Sequence, residues 1–336
     1  MSKLGSFVWC ELMTTDTAGA ESFYKKVVGW NPQPFAPDGS YTVFNTPAGG
    51  GSAGLMSLPD DAKKMGVPPH WLMYVGTPNV DSTALRIAQL GGKVVKQPSN
   101  IPNTGRFAIV QDPFGATFGI YTSNAPQPPK DEPAIGDFSW FELYTPNPEG
   151  AWDFYQSLFG WEKTSAMDMG EMGVYQMFGR GNGIPNGGIM KPPPGAPAAW
   201  QPYVRVKDAK GAAAIASASG GKVINGPMEV PGGDWIFQGI DPQGAMFAVH
   251  SLNPAAAKAT RAAKPAASAP RKKVAAKKAA KARPAKKAKP AGKAKPAKKA
   301  KASSAKRPKP ARKSARKAAK RSAKKATARK AVKRKK

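Results

Sequence analysis

Apolar and polar positions alternate along residues 6–13, placing Val8, Cys10 and Leu12 on one face of an expected strand and Phe7, Trp9 and Glu11 on the other. Residues 14–16 form a cap region. A helical period follows over 18–28, with Phe23 and Val27 on its apolar face. Short strands are expected around 41–45 and 54–58, between Gly, Pro and Asp turns. A further strand at 70–75 precedes a helix at 81–90, stopped by Gly91 and Gly92. Strands near 93–95, 107–111 and 117–121 close the unit. The expected order is β-α-β-β-β, twice.

The whole pattern then recurs. Residues 5–30 (GSFVWCELMTTDTAGAESFYKKVVGW) align without gaps on 136–161 (GDFSWFELYTPNPEGAWDFYQSLFGW) at 12 of 26 positions. Trp9 matches Trp140, Glu11 matches Glu142, Phe23-Tyr24 matches Phe154-Tyr155, and Gly29-Trp30 matches Gly160-Trp161. At a slightly shorter offset, Tyr74 matches Tyr203 and Asp112-Pro113 matches Asp241-Pro242. Register held over such a length means a duplicated domain. Residues 1–124 and 136–252 are the two copies, joined by a Pro-rich polar linker at 125–135.

A strand, an Asp or Asn cap, a helix ending F-Y-x-x-x-x-G-W and a late D-P-x-G turn together resemble the vicinal oxygen chelate superfamily. That superfamily contains glyoxalase I, bleomycin-resistance and extradiol dioxygenase proteins. The resemblance implies an α+β fold of two tandem domains, four βαβββ modules in all. It also implies that the two copies pair as an intramolecular pseudo-dimer. The fold hosts many chemistries, so it does not by itself assign one.

The resemblance also implies where a divalent metal would bind: one ligand on the first strand, one on the strand opening the second half, one on the last strand. Those positions hold Trp9, His70 and Gly119 in the first copy, and Trp140, Ala199 and Ala248 in the second. One of six is a ligand residue type, so no metal and no cofactor is expected, and metal-dependent glyoxalase or dioxygenase chemistry is disfavoured. The candidate ligand-binding residues are instead Trp9, Glu11, His70 and Tyr74, with Trp140, Glu142 and Tyr203. An indole beside a carboxylate suits an aromatic or cationic small molecule. Two other readings stay open: Trp filling a disused cavity, and Glu11 as a general base if buried. His70 and His250 read as satisfied packing residues or relics of a ligand position, and Cys10 as core. The run Gly49 to Gly54 matches G-x-G-x-x-G but leads into a strand, so no dinucleotide site is expected.

Composition changes the picture at the C-terminus. The formal net charge is +31 over 336 residues. Residues 253–336 hold 35 of the 52 Lys and Arg and no Asp or Glu, leaving the remainder at −4. That segment lacks Phe, Trp, Tyr, Leu, Ile and Met, so it is expected to be a disordered tail. Its Lys/Ala/Pro repeats resemble the C-terminal domain of histone H1. Basic positions include Lys272, Lys273, Lys277, Lys278, Lys286, Lys287, Lys298, Lys299, Arg312, Lys313, Arg316, Lys317, Lys324, Lys325, Arg334 and Lys335. Such charge density neutralises phosphates without reading bases, so the expected partner is duplex DNA or another polyanion, without sequence specificity. No signal-peptide pattern or membrane span is apparent, which gives an expectation of a cytoplasmic, nucleoid-associated protein.

Three functions compete at this point. The body is a small-molecule-binding module tethered to DNA, or the structural head of an architectural chromatin protein, or an enzyme with non-standard catalytic residues.

Overall fold

Strand β1 (Phe7–Thr14) leads into helix α1 (Thr17–Val27), which starts where the Asp16 carboxylate accepts from Gly19 N at 3.0 Å. The computed structural model describes residues 4–125, 132–181 and 183–253. Strands β2 (Asn31–Pro34), β3 (Tyr41–Asn45) and β4 (Gly51–Ser57) complete the first module. After a short helix α2 (Asp60–Lys64), the second module runs β5 (His70–Gly76), α3 (Val80–Gln89), β6 (Lys93–Ile101), β7 (Gly105–Gln111) and β8 (Thr117–Ser123). The eight strands form one sheet in the order β2-β3-β4-β1-β5-β8-β7-β6. The two modules therefore join through their first strands.

The second domain repeats this. It contains β9 (Phe138–Tyr144), α4 (Pro148–Phe159), β10 (Glu162–Asp168), β11 (Val174–Gly179) and β12 (Pro185–Met190). Then come β13 (Ala199–Arg205), α5 (Ala209–Ala218), β14 (Lys222–Glu229), β15 (Trp235–Ile240) and β16 (Met246–Ser251). Its sheet order is β10-β11-β12-β9-β13-β16-β15-β14. All four expected βαβββ modules are present.

The motifs that disclosed the repeat bind the two domains to each other. The Asp112 carboxylate turns the D-P-x-G loop by accepting from Phe114 N and Ala116 N, both at 2.9 Å. Its other oxygen accepts from Tyr155 OH of the second domain at 3.0 Å. Reciprocally, Asp241 accepts from Ala245 N at 2.8 Å and from Tyr24 OH at 3.0 Å. The Trp30 indole donates to Gly136 O at 2.7 Å, and the Trp161 indole to Gly5 O at 2.9 Å. Each Tyr of F-Y thus meets the other domain's D-P-x-G, and each Trp of G-W meets the other domain's entry strand. Around these bonds the apolar faces merge into one core, in which Phe7 stacks on Phe141 at 3.7 Å and Phe23 meets Phe247 edge-on at 5.4 Å.

Several expectations need correction. Phe7 does not share a face with Trp9 and Glu11. A bulge at Val8, between the pairs Phe7–Val75 and Trp9–Tyr74, turns Phe7 into the interdomain core. Strand β4 starts at Gly51 rather than 54, and β6 runs through Ile101 rather than stopping near 95. Strands β2 and β10 and helix α2 carried no alternation strong enough to predict them. Part of the linker (126–131) and the tail from 254 onward lie outside the described residues. Among the described residues, no helix is long and apolar enough to cross a membrane.

Candidate functional site

The alternation of β1 places Trp9 and Glu11 on the face opposite Cys10 and Leu12, which are buried in the core. Tyr41 from β3 and Tyr74 from β5 close around Glu11. Tyr41 OH donates to Glu11 Oε1 at 2.8 Å, and Tyr74 OH donates to Oε2 at 3.0 Å. The Trp9 indole N–H donates to Tyr41 OH at 3.0 Å. Tyr41 can lie here because β4 supplies Gly54 beneath it: a β-carbon there would sit 1.9 Å from the Tyr41 hydroxyl. Lys96 stands over the Phe107 ring at 4.9 Å and brings positive charge toward Glu11, and His70 also lies on that side.

The second domain builds the same cluster with more polar partners. Tyr175 OH donates to Glu142 Oε2 at 2.9 Å, Tyr203 OH to Oε1 at 3.1 Å, and the Trp140 indole to Tyr175 OH at 2.8 Å. The Tyr144 hydroxyl also faces Glu142 and helps hold its value down. Gln238 Nε2 donates to Tyr203 OH at 2.6 Å and Tyr144 OH at 2.8 Å, and Asn225 Nδ2 donates to Gln238 Oε1 at 3.2 Å. Met13, Lys96 and Ile109 occupy the positions of Tyr144, Asn225 and Gln238 in the first domain. The first site is therefore flanked by a lysine and the second by neutral amide and phenol groups.

Both carboxyls are buried, at 8% and 7% exposure. Burial raises Glu11 above the ordinary carboxylate range, against the hydroxyls of Tyr41 and Tyr74 and the charges of Lys96 and His70, which pull it down. Burial likewise raises Glu142, opposed by three tyrosine hydroxyls. The same burial, and the nearby carboxylates, push Tyr74 and Tyr203 well above the usual phenol value. The phenols therefore stay protonated donors. With both oxygens already accepting, Glu11 is not arranged as a free base or as an open partner for a cationic ligand.

The residues present do not fit a divalent metal. Tyr74 pairs in register with Gly119 and its ring covers that residue: a β-carbon on Gly119 would lie 2.1 Å from Tyr74 Cδ1. A carboxylate side chain has no room there. Ala248, at the matching place, is buried beside Tyr203. The first-strand positions hold indoles already committed to tyrosine hydroxyls. His70 is half-buried, with Nδ1 2.8 Å from Pro68 O. Among the described residues, no three His, Cys, Asp or Glu side chains converge.

Of the residues singled out in the sequence, Trp9, Glu11 and Tyr74 meet in one cluster and Trp140, Glu142 and Tyr203 in another. The two clusters lie on separate sheets. His70 reaches Glu11 only through charge. His250 is half-buried and satisfied by hydrogen bonds to Ser139 and Asp234. Sequence reasoning missed Tyr41, Tyr175, Tyr144 and Gln238. The matched spacing Tyr41–Phe44 and Tyr175–Phe178 was the signal available for the first two. The basic positions from Lys272 to Lys335 lie outside the described residues.

The family model of the Glyoxalase/Bleomycin resistance protein/Dioxygenase superfamily matches residues 6–120 and 137–249. A Mycobacterium tuberculosis (strain CDC 1551 / Oshkosh) protein named "Putative glyoxylase CFP32" is 33% identical over 250 residues, covering 74% of this chain and 94% of that protein. "Anthracycline biosynthesis protein DnrV" of Streptomyces peucetius is 27% identical over 271 residues, covering 75% and 96%. The Mn(II)-bound glyoxalase from Novosphingobium aromaticivorans superposes with a TM-score of 0.54 at 14% identity, over 75% of this chain and 83% of that one.

Proposed function

This chain belongs to the Glyoxalase/Bleomycin resistance protein/Dioxygenase superfamily, and we propose that within it the protein binds a flat aromatic small molecule without a metal, while its basic C-terminal segment holds it on nucleic acid. The observation that carries the binding reading is the exchange of ligand positions for indoles. Trp9 and Trp140 stand beside buried carboxyls whose tyrosine partners present ordered hydroxyl groups. Indoles stack on planar rings, and the phenol oxygens, their protons given to the carboxyls, are left to accept from hydroxyl substituents of such rings. A relative named for anthracycline biosynthesis is in keeping with that ligand class, since anthracyclines are fused planar ring systems.

The tethering reading rests on composition. The segment 253–336 carries 35 basic and no acidic residues. Lys and Arg at that density displace counterions from duplex DNA, and no aromatic residue is present to stack on single-stranded bases. The protein then resides on the nucleoid in the cytoplasm.

The binding test is a titration of tryptophan fluorescence with quinizarin, a planar dihydroxyanthraquinone. Saturable quenching is expected, weakened about tenfold or more in Trp9→Ala or Trp140→Ala. Quenching that is equal in both variants and the parent overturns the reading.

A further inference from the structure

The second sheet carries another group of side chains that the Glu142 cluster does not use. Tyr203 pairs with Trp140 and Val204 with Phe138, so Ser139 is the extra residue of a bulge in β9. A bulge re-aims the side chain it inserts. Ser139 Oγ lies 2.8 Å from His250 Nδ1, and His250 Nε2 lies 2.9 Å from Asp234 Oδ2. A carboxylate only accepts, so Nε2 carries the imidazole proton and Nδ1 offers its lone pair to the Ser139 hydroxyl. Asp234 is itself fixed, its second oxygen accepting from Asn253 N at 2.8 Å. Arg205 pairs in register with His250. Its Nη1 donates to the Pro133 carbonyl, and its buried Nε has no partner among the described residues.

The charges around His250 are Asp234 and Arg205, with Glu132 and Asp137 about Arg205. Burial lowers the imidazole below its ordinary value, Asp234 opposes this and Arg205 adds to it. The ring is neutral at neutral pH, as a base must be. Ser139, His250 and Asp234 are all partly accessible to solvent.

The duplicated domain supplies a comparison. The positions equivalent to Ser139, Arg205, Asp234 and His250 are Val8, Gly76, Gly105 and Tyr121. The first domain forms the same bulge and the same strand pairings without any of the four. The fold does not require them, yet the second domain brings them together from four separate stretches of chain.

We propose that Ser139 is a nucleophile, His250 its general base and Asp234 the positioning carboxylate of a site that hydrolyses small carboxylic esters. Ser139 Oγ attacks the ester carbonyl carbon as its proton passes to His250 Nδ1. The tetrahedral adduct collapses, the bond to the alcohol oxygen breaks, and His250 returns the proton to that oxygen. Water, deprotonated by His250, then cleaves the acyl–Ser139 bond, releasing the carboxylic acid and restoring the hydroxyl.

The test treats the full-length protein with a biotinylated fluorophosphonate, maps the adduct by peptide mass spectrometry, and follows p-nitrophenyl acetate hydrolysis in parallel. The expected result is a stoichiometric adduct on Ser139 and p-nitrophenol release that falls about 100-fold or more in Ser139→Ala and His250→Gln. The rate rises with pH through an inflection below about 6.5, the ordinary histidine value. Asp234→Asn moves that inflection lower still, because the carboxylate's hydrogen bond and charge hold the imidazole value up against burial. Ser139→Val, the residue of the first domain at this place, keeps the melting temperature and loses the label. No adduct on Ser139, or hydrolysis unchanged in Ser139→Ala, overturns the proposal. So does an inflection that Asp234→Asn leaves in place. Labelling and ester hydrolysis do not depend on ligand binding at Trp9 or Trp140, so failure here leaves that reading standing.

Discussion

Tyr74 lies across Gly119 so closely that a β-carbon on the glycine would fall 2.1 Å from the tyrosine ring. The ring occupies the space that a last-strand ligand would need, and its hydroxyl is fixed by Glu11. Gly119→Ala must displace a buried ring in a closed cluster. Its expected cost is about 1–3 kcal/mol, the range for overpacked cores, read as a lower urea midpoint at unchanged slope. Wild-type stability in this variant would mean that the ring does not lie there.

The two buried carboxyls make stability depend on pH in a defined direction. Glu11 and Glu142 both have raised values, so the folded chain holds these protons more tightly than the unfolded chain. Their contribution is complete below the unfolded value of about 4.3 and is lost as pH rises through the raised folded values. The double variant Glu11→Gln, Glu142→Gln lacks this loss. Relative to the parent, it should gain stability as pH rises above about 4, measured by urea unfolding at each pH. A parent whose stability relative to the double variant rises with pH above about 4 contradicts the assignment.

The hydroxyl of Tyr24 is held from both sides: it donates to Asp241 Oδ2 and accepts from the Trp71 indole, each at 3.0 Å. Tyr24→Phe leaves a buried carboxylate oxygen and an indole N–H without that partner. A loss of about 1–3 kcal/mol is expected in thermal or urea unfolding. Tyr155→Phe should behave alike, because Tyr155 holds Asp112 and Trp200 in the same way.

These latches explain what was legible in the sequence. F-Y, G-W and D-P-x-G recur at fixed spacing because each must meet its counterpart in the other domain, so fold and duplication could be read from them. The faces of Trp9 and Glu11 followed from strand alternation. Phe7 did not, because a bulge at Val8 breaks the period of two within the strand. Tyr41 and Tyr175 reach the carboxyls from strands about 30 residues away, and alternation gives a face without giving the order of strands in the sheet. Ser139, His250 and Asp234 are separated by 111 and 16 residues, and only sheet pairing brings them together.

Deleting residues 255–336 removes all the excess positive charge and leaves a chain of net charge −4. Filter binding to duplex DNA at rising salt should show steep salt dependence for the full chain and no measurable binding for the truncated one. Equal binding by both, or full-length binding indifferent to salt, contradicts the tethering reading.

The central claim is that the indole, phenol and carboxyl clusters bind a planar aromatic molecule with no metal. Its most direct test is calorimetric titration of quinizarin into the full-length protein, once after exhaustive chelation and once with added Mn(II), alongside metal analysis of the purified protein. Equal affinity in both titrations and substoichiometric metal are expected. Binding that appears only with Mn(II), or one metal ion per domain surviving purification, would contradict it.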